Sequence, residues 1–538
     1  MKTGKKVFLI VVAALVALVG LTLVGTGADE SILRYTHSWP AQYDPAVGMS
    51  WPSNDAMTVL YDTLVYPDQK GEPLPHAAAR WTVSEDGKEW TFFLRTDVKF
   101  HDGSTLTAED VVFSMDRWLT IGEGWAHLFL PIIDRLEAID DYTVRFHLTM
   151  KFGPLLPALY KFYIVNRDLM MANLVKPGAY GEFGDYGREF LLDHDAGSGP
   201  YVMKEFRPGE YLLMEIRPDK YWGYVTPGAP HQVIQMGVME AVTSRLMMSN
   251  RELEICDPWQ AVETLEALDR IEGVEIASTK VGAVYHVLMH TKKPPLDDIH
   301  FRKAIAYATD YETIVQEAFP TGKQLHGPVS SVVPGHDPTV FQYYYDLDKA
   351  LEELKQSKYY EELDQHPVEF HWISSAAFQE KVALTLQSDL AKIGITLKAV
   401  RVTFAQLQDY SSDMDASPHM YSLSMANPFP EAGSPLQFRY HSDGARGTDQ
   451  NEWLLDPEYD RLLEEAFATT DTNERFAKYG ELQHYIVDLC PTLFISEFPL
   501  MQAYQTEYMD WPSVYGEGIP LIGYHMDPRW IRVFPEKK

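Results

Sequence analysis

Residues 94–118 read LRTDVKFHDGSTLTAEDVVFSMDRW, and the rest of the chain is organised around this stretch. Its approach is a strand, because Trp90, Phe92 and Leu94 alternate with Thr91, Phe93 and Arg95, the period-two pattern of a sheet with one buried face. His101-Asp102-Gly103-Ser104 then makes a turn. A helix follows, with Thr107 as N-cap and Asp110 three residues on. This capping-box pattern satisfies free N–H groups ahead of Val111, Val112, Phe113 and Met115.

At 538 residues the chain exceeds one hydrophobic core, so two or three domains are expected. Lys2, Lys5 and Lys6 precede a charge-free run from Val7 to Val24, which reads as an export signal cleaved after Ala28. The alternative is an uncleaved anchor, since the run is just long enough to span a bilayer. A net charge of -31 makes nucleic acid and anionic membrane surfaces poor partners. The same acidity reads first as a solvated surface and second as a field favouring cationic ligands such as peptide amines. Of the two cysteines, Cys256 and Cys490, the sequence leaves two readings open: a disulfide closing a very long loop in an exported protein, or two buried thiols.

Outward from the opening stretch, Glu85-Asp86-Gly87-Lys88 is a hairpin turn, and Tyr142, Val144, Phe146 and Leu148 alternate as a half-buried strand. Val59 to Leu64 reads as a helix after a connecting segment that contains Trp51 and Pro52. Gly197-Ser198-Gly199-Pro200-Tyr201 is a tight turn entering a strand. It lacks the G-x-S-x-G spacing of a nucleophile elbow. His286 to His290 reads as a strand, and Phe301 to Ala308 as a helix, with Asp310 capping the next one. Phe378, Val382, Leu386, Leu390 and Ile393 form one buried face of a helix over 376–393 that Gly394 stops. His286 and His290 face one side of their strand, but two histidines without a third ligand argue against a metal site. The sequence has no HExxH, G-x-S-x-G, P-loop or Cys-His nucleophile pattern, which leaves a secreted hydrolase as a distant alternative.

Phe100, Asp102-Gly103, Thr107 to Val111 and Phe113-Ser114 match v-F-x-D-G-x-x-x-T-A-x-D-V-x-x-S, which resembles the large solute-binding proteins of peptide/nickel-type ABC importers, family 5. Gly197 to Tyr201 is similar to the family's G-T-G-P-Y, and the segment through Arg302-Lys303-Ala304-Ile305 to Asp310 is similar to its V-R-x-A-I-x-Y-A-I-D. Cys490-Pro491-Thr492-Leu493-Phe494-Ile495 resembles A-P-x-I-x-L, the strand by which the chain returns to its first domain.

The resemblance implies an α/β two-lobed periplasmic-binding-protein (Venus-flytrap) fold with an additional small α+β domain. Lobe I is expected to be discontinuous over 29–57, 185–284 and 490–538, the small domain over 58–184, and lobe II over 285–489. It further implies a monomeric periplasmic binding protein and not an enzyme, without cofactor. Such a protein captures a small-molecule ligand, an oligopeptide or dipeptide, and delivers it to a membrane permease with its ATPases.

Trp51 and Pro52 lie in the segment that the family places along its cleft, and Trp372 and Ser374 end a strand on the cleft side. In peptide-binding relatives an aspartate in a loop like G-W-x-x-D-x-x-D-P pairs with the ligand's amino terminus through a charge-assisted bond. Here the corresponding text is Leu423 to Glu431, with Asn427 where the aspartate is expected and Glu431 four residues later. Either Glu431 replaces the anchor, or the ligand is an oligosaccharide or opine-like conjugate. Trp51, Trp125, Trp372 and Phe429 suit a sugar as well as a peptide.

Overall fold

The computed structural model describes residues 31–37, 42–374, 376–427, 429–445, 449–519 and 521–538, and the expected export signal lies outside the described residues. Strand Glu89–Leu94 buries Trp90, Phe92 and Leu94, as their alternation requires. It pairs antiparallel with Ala78–Val83 through the Gly87 turn and with Thr143–Leu148, which in turn pairs with Ile133–Asp140. Helix Ala108–Ile121 opens with the expected capping box, in which the Thr107 amide donates to Asp110 Oδ2 at 2.8 Å. Gly122, at φ 70°, ends it in the left-handed conformation that a side chain would oppose. From this helix the buried Arg117 donates twice, at 2.6 Å each, to the Asp44 carboxylate, which fastens the small domain to the opening loop of lobe I.

In lobe I, strand Ile32–Thr36 runs parallel to Gln232–Met236, and Tyr211–Ile216 and Tyr201–Arg207 follow antiparallel. Ile255 bridges Tyr35 to Tyr504 and so joins this sheet to the antiparallel pair Val274–Thr279 and Leu500–Gln505. Glycine is required at the Gly197 turn for a reason beyond flexibility. A Cβ at Gly197 would lie 1.9 Å from the Leu60 carbonyl oxygen, and one at Gly199 would lie 2.2 Å from that of Val59. The helix expected over 59–64 lies instead at Trp51–Leu60 and stops where Tyr61 turns extended, because Ser50 caps its start and Pro52 suits a first turn with no N–H to offer.

Lobe II is a five-stranded mixed sheet in the order Leu397–Val402, Val368–Ile373, Met420–Met425, Val284–Met289, Thr492–Glu497. Helix Ala377–Ala391 packs beside it, and Gly394 follows at φ 84°. Asp310 caps helix Tyr311–Ala318 by accepting from the Thr313 amide at 3.0 Å. Arg302 reaches the end of helix Thr472–Leu489 and donates to the Leu489 and Cys490 carbonyls, so a cation satisfies acceptors that the helix leaves open.

Because Thr492–Glu497 pairs with Val284–Met289, it belongs to lobe II and not, as expected, to lobe I. The chain therefore crosses between lobes at 280–283 and again at 498–499, between strands that sit in different sheets. Cys256 and Cys490 are free, buried thiols, which overturns the disulfide reading. Cys256 lies in a small cluster with Met248, Leu253 and Leu268, and Cys490 lies in the main core. Burial pushes their thiols up to about 12 and about 11. Among the described residues no helix is long and apolar enough to cross a membrane.

Candidate ligand site

Strand Ile32–Thr36 delivers His37 to the edge of lobe I, where its amide donates to the Met236 carbonyl at 2.9 Å. Helix Trp51–Leu60 places Trp51 and Asp55 four residues apart, hence on one face. The rings of Trp51 and Trp259 lie 5.2 Å apart, and His37 lies 6.4 Å from the first and 6.2 Å from the second. Below this aromatic group His37 Nε2 stands 3.9 Å from Asp55 Oδ2, with both side chains almost wholly buried. This is not an ion pair. Burial pulls the His37 ring down to about 3, and burial pushes the Asp55 carboxyl up to about 8, so neither is fully charged at neutral pH.

The small domain contributes Lys161, at the end of a short 3₁₀ turn, 1% exposed. Its Nζ donates to Asn54 Oδ1 at 2.9 Å and to the Ile522 carbonyl at 3.0 Å, and it stands 6.0 Å from the centre of the Trp125 ring. Burial lowers it to about 7 against the opposing pull of Asp55. His525 is buried close by, brought down to about 3 chiefly by burial. Trp511 and Ser513 hold the His525 carbonyl at 2.9 and 2.7 Å. The Trp51 ring also packs on the cluster Val281, Ala283, Leu500 and Ile522, which Ala426 and Phe498 join. Lobe I, the small domain, the crossover and the start of the 426–431 loop thus meet at one place.

Of the residues expected from the sequence, Trp51, Pro52 and Trp125 belong to this region. The Pro52 carbonyl accepts from Gln235 at 3.0 Å. Asn427 lies against the crossover, with its Nδ2 3.3 Å from where a Cβ on Gly282 would stand. Glu431 differs from the expectation of a carboxylate presented to a ligand. It is 3% exposed, accepts from Arg475 at 2.7 and 3.1 Å and takes a further bond from the Tyr479 hydroxyl at 2.7 Å. Phe429 is fully buried core, Trp372 lies under the Arg401 guanidinium at 5.5 Å, and the Ser374 amide donates to the Val402 carbonyl. No ring contact among the described residues joins Trp372 or Phe429 to the Trp51 group. His286 is buried edge-on to Phe494, and His290 Nε2 lies 3.0 Å from the Met414 carbonyl.

His37, Asp55, Lys161, Trp259 and His525 were not singled out in the sequence. The four-residue step from Trp51 to Asp55 was the one local sign. The others come together only through the fold.

Two lobes joined by a doubly crossed connection, with buried polar and aromatic groups beside it, define a cleft-closing binding protein. Residues 72–447 match the bacterial extracellular solute-binding proteins, family 5 middle, and the chain belongs to that family. It is 30% identical over 418 residues to a probable D,D-dipeptide-binding periplasmic protein of Escherichia coli (strain K12), covering 76% of each chain. Among solved structures it resembles a Helicobacter pylori ABC transporter-associated periplasmic binding protein in complex with the peptide STSA. That match has a TM-score of 0.78 and 21% identity and covers 95% of this chain and 99% of the other. A binding protein from A. tumefaciens R10 in complex with agropinic acid matches with a TM-score of 0.75 and 21% identity, over 93% and 98%.

Proposed function

We infer that the protein is the substrate-binding component of an ABC importer, capturing short peptides in the periplasm and delivering them to a membrane permease and its ATPases. The observation that carries this reading is the pair of crossovers at 280–283 and 498–499 beside the Trp51, Asp55 and Lys161 group, in a member of family 5. The likeness to a dipeptide-binding relative supports a peptide as cargo. Ligand contacts are assigned to Trp51, Pro52, Trp125 and Asn427. A ligand that touches both lobes stabilises the closed state by the difference between its affinities for the two states, so the task needs no catalyst and one chain suffices.

The hydrolase alternative is disfavoured by the buried node at Ser198. Its hydroxyl donates to Asp62 Oδ2 at 2.9 Å, and His76 Nε2 stands 3.6 Å from the other Asp62 oxygen. The carboxylate stands between serine and histidine, so no imidazole faces the hydroxyl and the Ser-His-Asp order is not formed there. An opine-like conjugate is the second reading, favoured by the uncharged Asn427 and the agropinic acid complex among the structural matches. Native mass spectrometry of the purified chain, followed by release of what co-purifies, separates the two. A set of short peptides supports the first reading, and a single sugar conjugate replaces it with the second.

A further inference from the structure

The small domain touches lobe II directly as well as lobe I. At the Phe152-Gly153 bend the Gly153 amide donates to the Phe467 carbonyl at 2.8 Å, and the Phe152 ring meets the Phe467 ring edge-on at 5.2 Å. Both rings are buried. Two further contacts lie on the same front. The His127 ring stacks on Phe438 at 5.7 Å, and a Cβ on Gly71 would stand 2.9 Å from the Pro430 ring.

The small domain is held unequally on its two sides. Towards lobe I it has the buried bonds from Arg117 to Asp44, the Lys161 bond to the Ile522 carbonyl, and the Tyr66 hydroxyl donating to Asp527 at 2.7 Å. Towards lobe II it has a main-chain bond and ring contacts, and among the described residues no ion pair. No crossover joins it to lobe II either, since the chain enters that lobe at 280–283 and leaves it at 498–499. The small domain therefore rides with lobe I, and the front at Phe467 is where the two bodies part.

Gly153 is the tightest point of that front. A Cβ there would lie 2.5 Å from the Thr469 carbonyl oxygen and 2.7 Å from Arg475 Nη1, both in lobe II. Its φ lies outside the left-handed region, so a side chain is excluded by the approach of lobe II and not by the backbone. Arg475 in turn holds Glu431, at the end of the loop that carries Asn427.

We propose that the Phe152-Gly153 bend is a latch on the closed cleft. It adds a share to the stability of the closed form that owes nothing to cargo, so the empty chain already spends part of its time closed. Gly153 sets that share by letting lobe II come into contact. The inference rests on closure of the two lobes and holds for any cargo. Apparent affinity rises with the closed population, and entry slows because cargo enters the open cleft.

The test is pulsed electron paramagnetic resonance on the full chain, freed of co-purified cargo by unfolding and refolding. Spin labels are placed at Asp134→Cys in the small domain and Glu481→Cys in lobe II, both exposed positions. Cys256 and Cys490 are buried and take no label. The chain carrying the labels alone is expected to populate a short and a long distance. Gly153→Val should cut the short population at least ~5-fold, with Gly153→Ala lying between. A single long distance in the chain carrying the labels alone overturns the latch, and so does an unchanged distribution in Gly153→Val. Should Gly153→Val not fold, Phe438→Ala, which removes the ring under His127, decides by the same shift. No cargo enters the measurement, so its failure leaves the peptide-import reading standing, and failure of that reading leaves the latch standing.

Discussion

The Phe498 amide donates to the Ala283 carbonyl at 3.1 Å, so the two crossovers between lobes are hydrogen-bonded to each other. They form one strap. Gly282, at φ 69°, stands in this strap in a left-handed conformation that a side chain opposes.

Gly282→Ala places a Cβ on a left-handed residue against Asn427, Val333 and Val332. Its expected cost is about 1–2 kcal/mol of stability from the conformation alone, together with weaker ligand binding because Asn427 is displaced. Urea unfolding and ligand titration of the same preparation check both. Unchanged affinity would mean that the strap tolerates the shift.

Glu431→Gln leaves Arg475 buried without its counter-charge. Breaking a buried pair of this kind costs about 3–5 kcal/mol, and the double variant with Arg475→Met recovers part of it. Denaturant midpoints measure the cycle. A loss below about 1 kcal/mol would show that the pair behaves like a surface one.

The two thiols are buried and their pKa values are raised, to about 12 for Cys256 and about 11 for Cys490. Little thiolate is present near pH 8, so iodoacetamide should leave the native protein unmodified. In denaturant without reductant the mass should rise by two adducts. A mass that does not rise would reveal a disulfide.

Burial lowers His37 and His525 to about 3 from an ordinary value of about 6.5. Between those values the unfolded chain binds protons that the folded chain refuses, so stability rises with pH through that window and is lost as pH falls. Asp55, raised to about 8, acts in the opposite sense from about pH 4 upward, and one group offsets only part of two. The unfolding midpoint should therefore climb between about pH 4 and 6, with a shallower slope in His525→Gln. An unaltered slope in that variant would remove His525 from the account.

Much of the fold was legible because its causes are local. The alternation at Trp90, Phe92 and Leu94 and the cap at Thr107 act within a few residues, and the structure reproduces both. The lobe boundary near 490 was misplaced because Thr492–Glu497 is equally apolar in either sheet. Only its partner, Val284–Met289, assigns it. Glu431 was misread for the same reason, since its partner Arg475 lies 44 residues on. The group of His37, Asp55, Lys161 and His525 spans nearly 490 positions of the chain, and no periodicity or motif records a meeting at that separation.

The Lys161 ammonium leans on the Ile522 carbonyl, and the Tyr524 hydroxyl closes on the Tyr160 carbonyl at 2.8 Å. A ribosome makes residues 521–527 hundreds of residues after Asp55. The surroundings of Lys161 are therefore completed only by the last part of the chain.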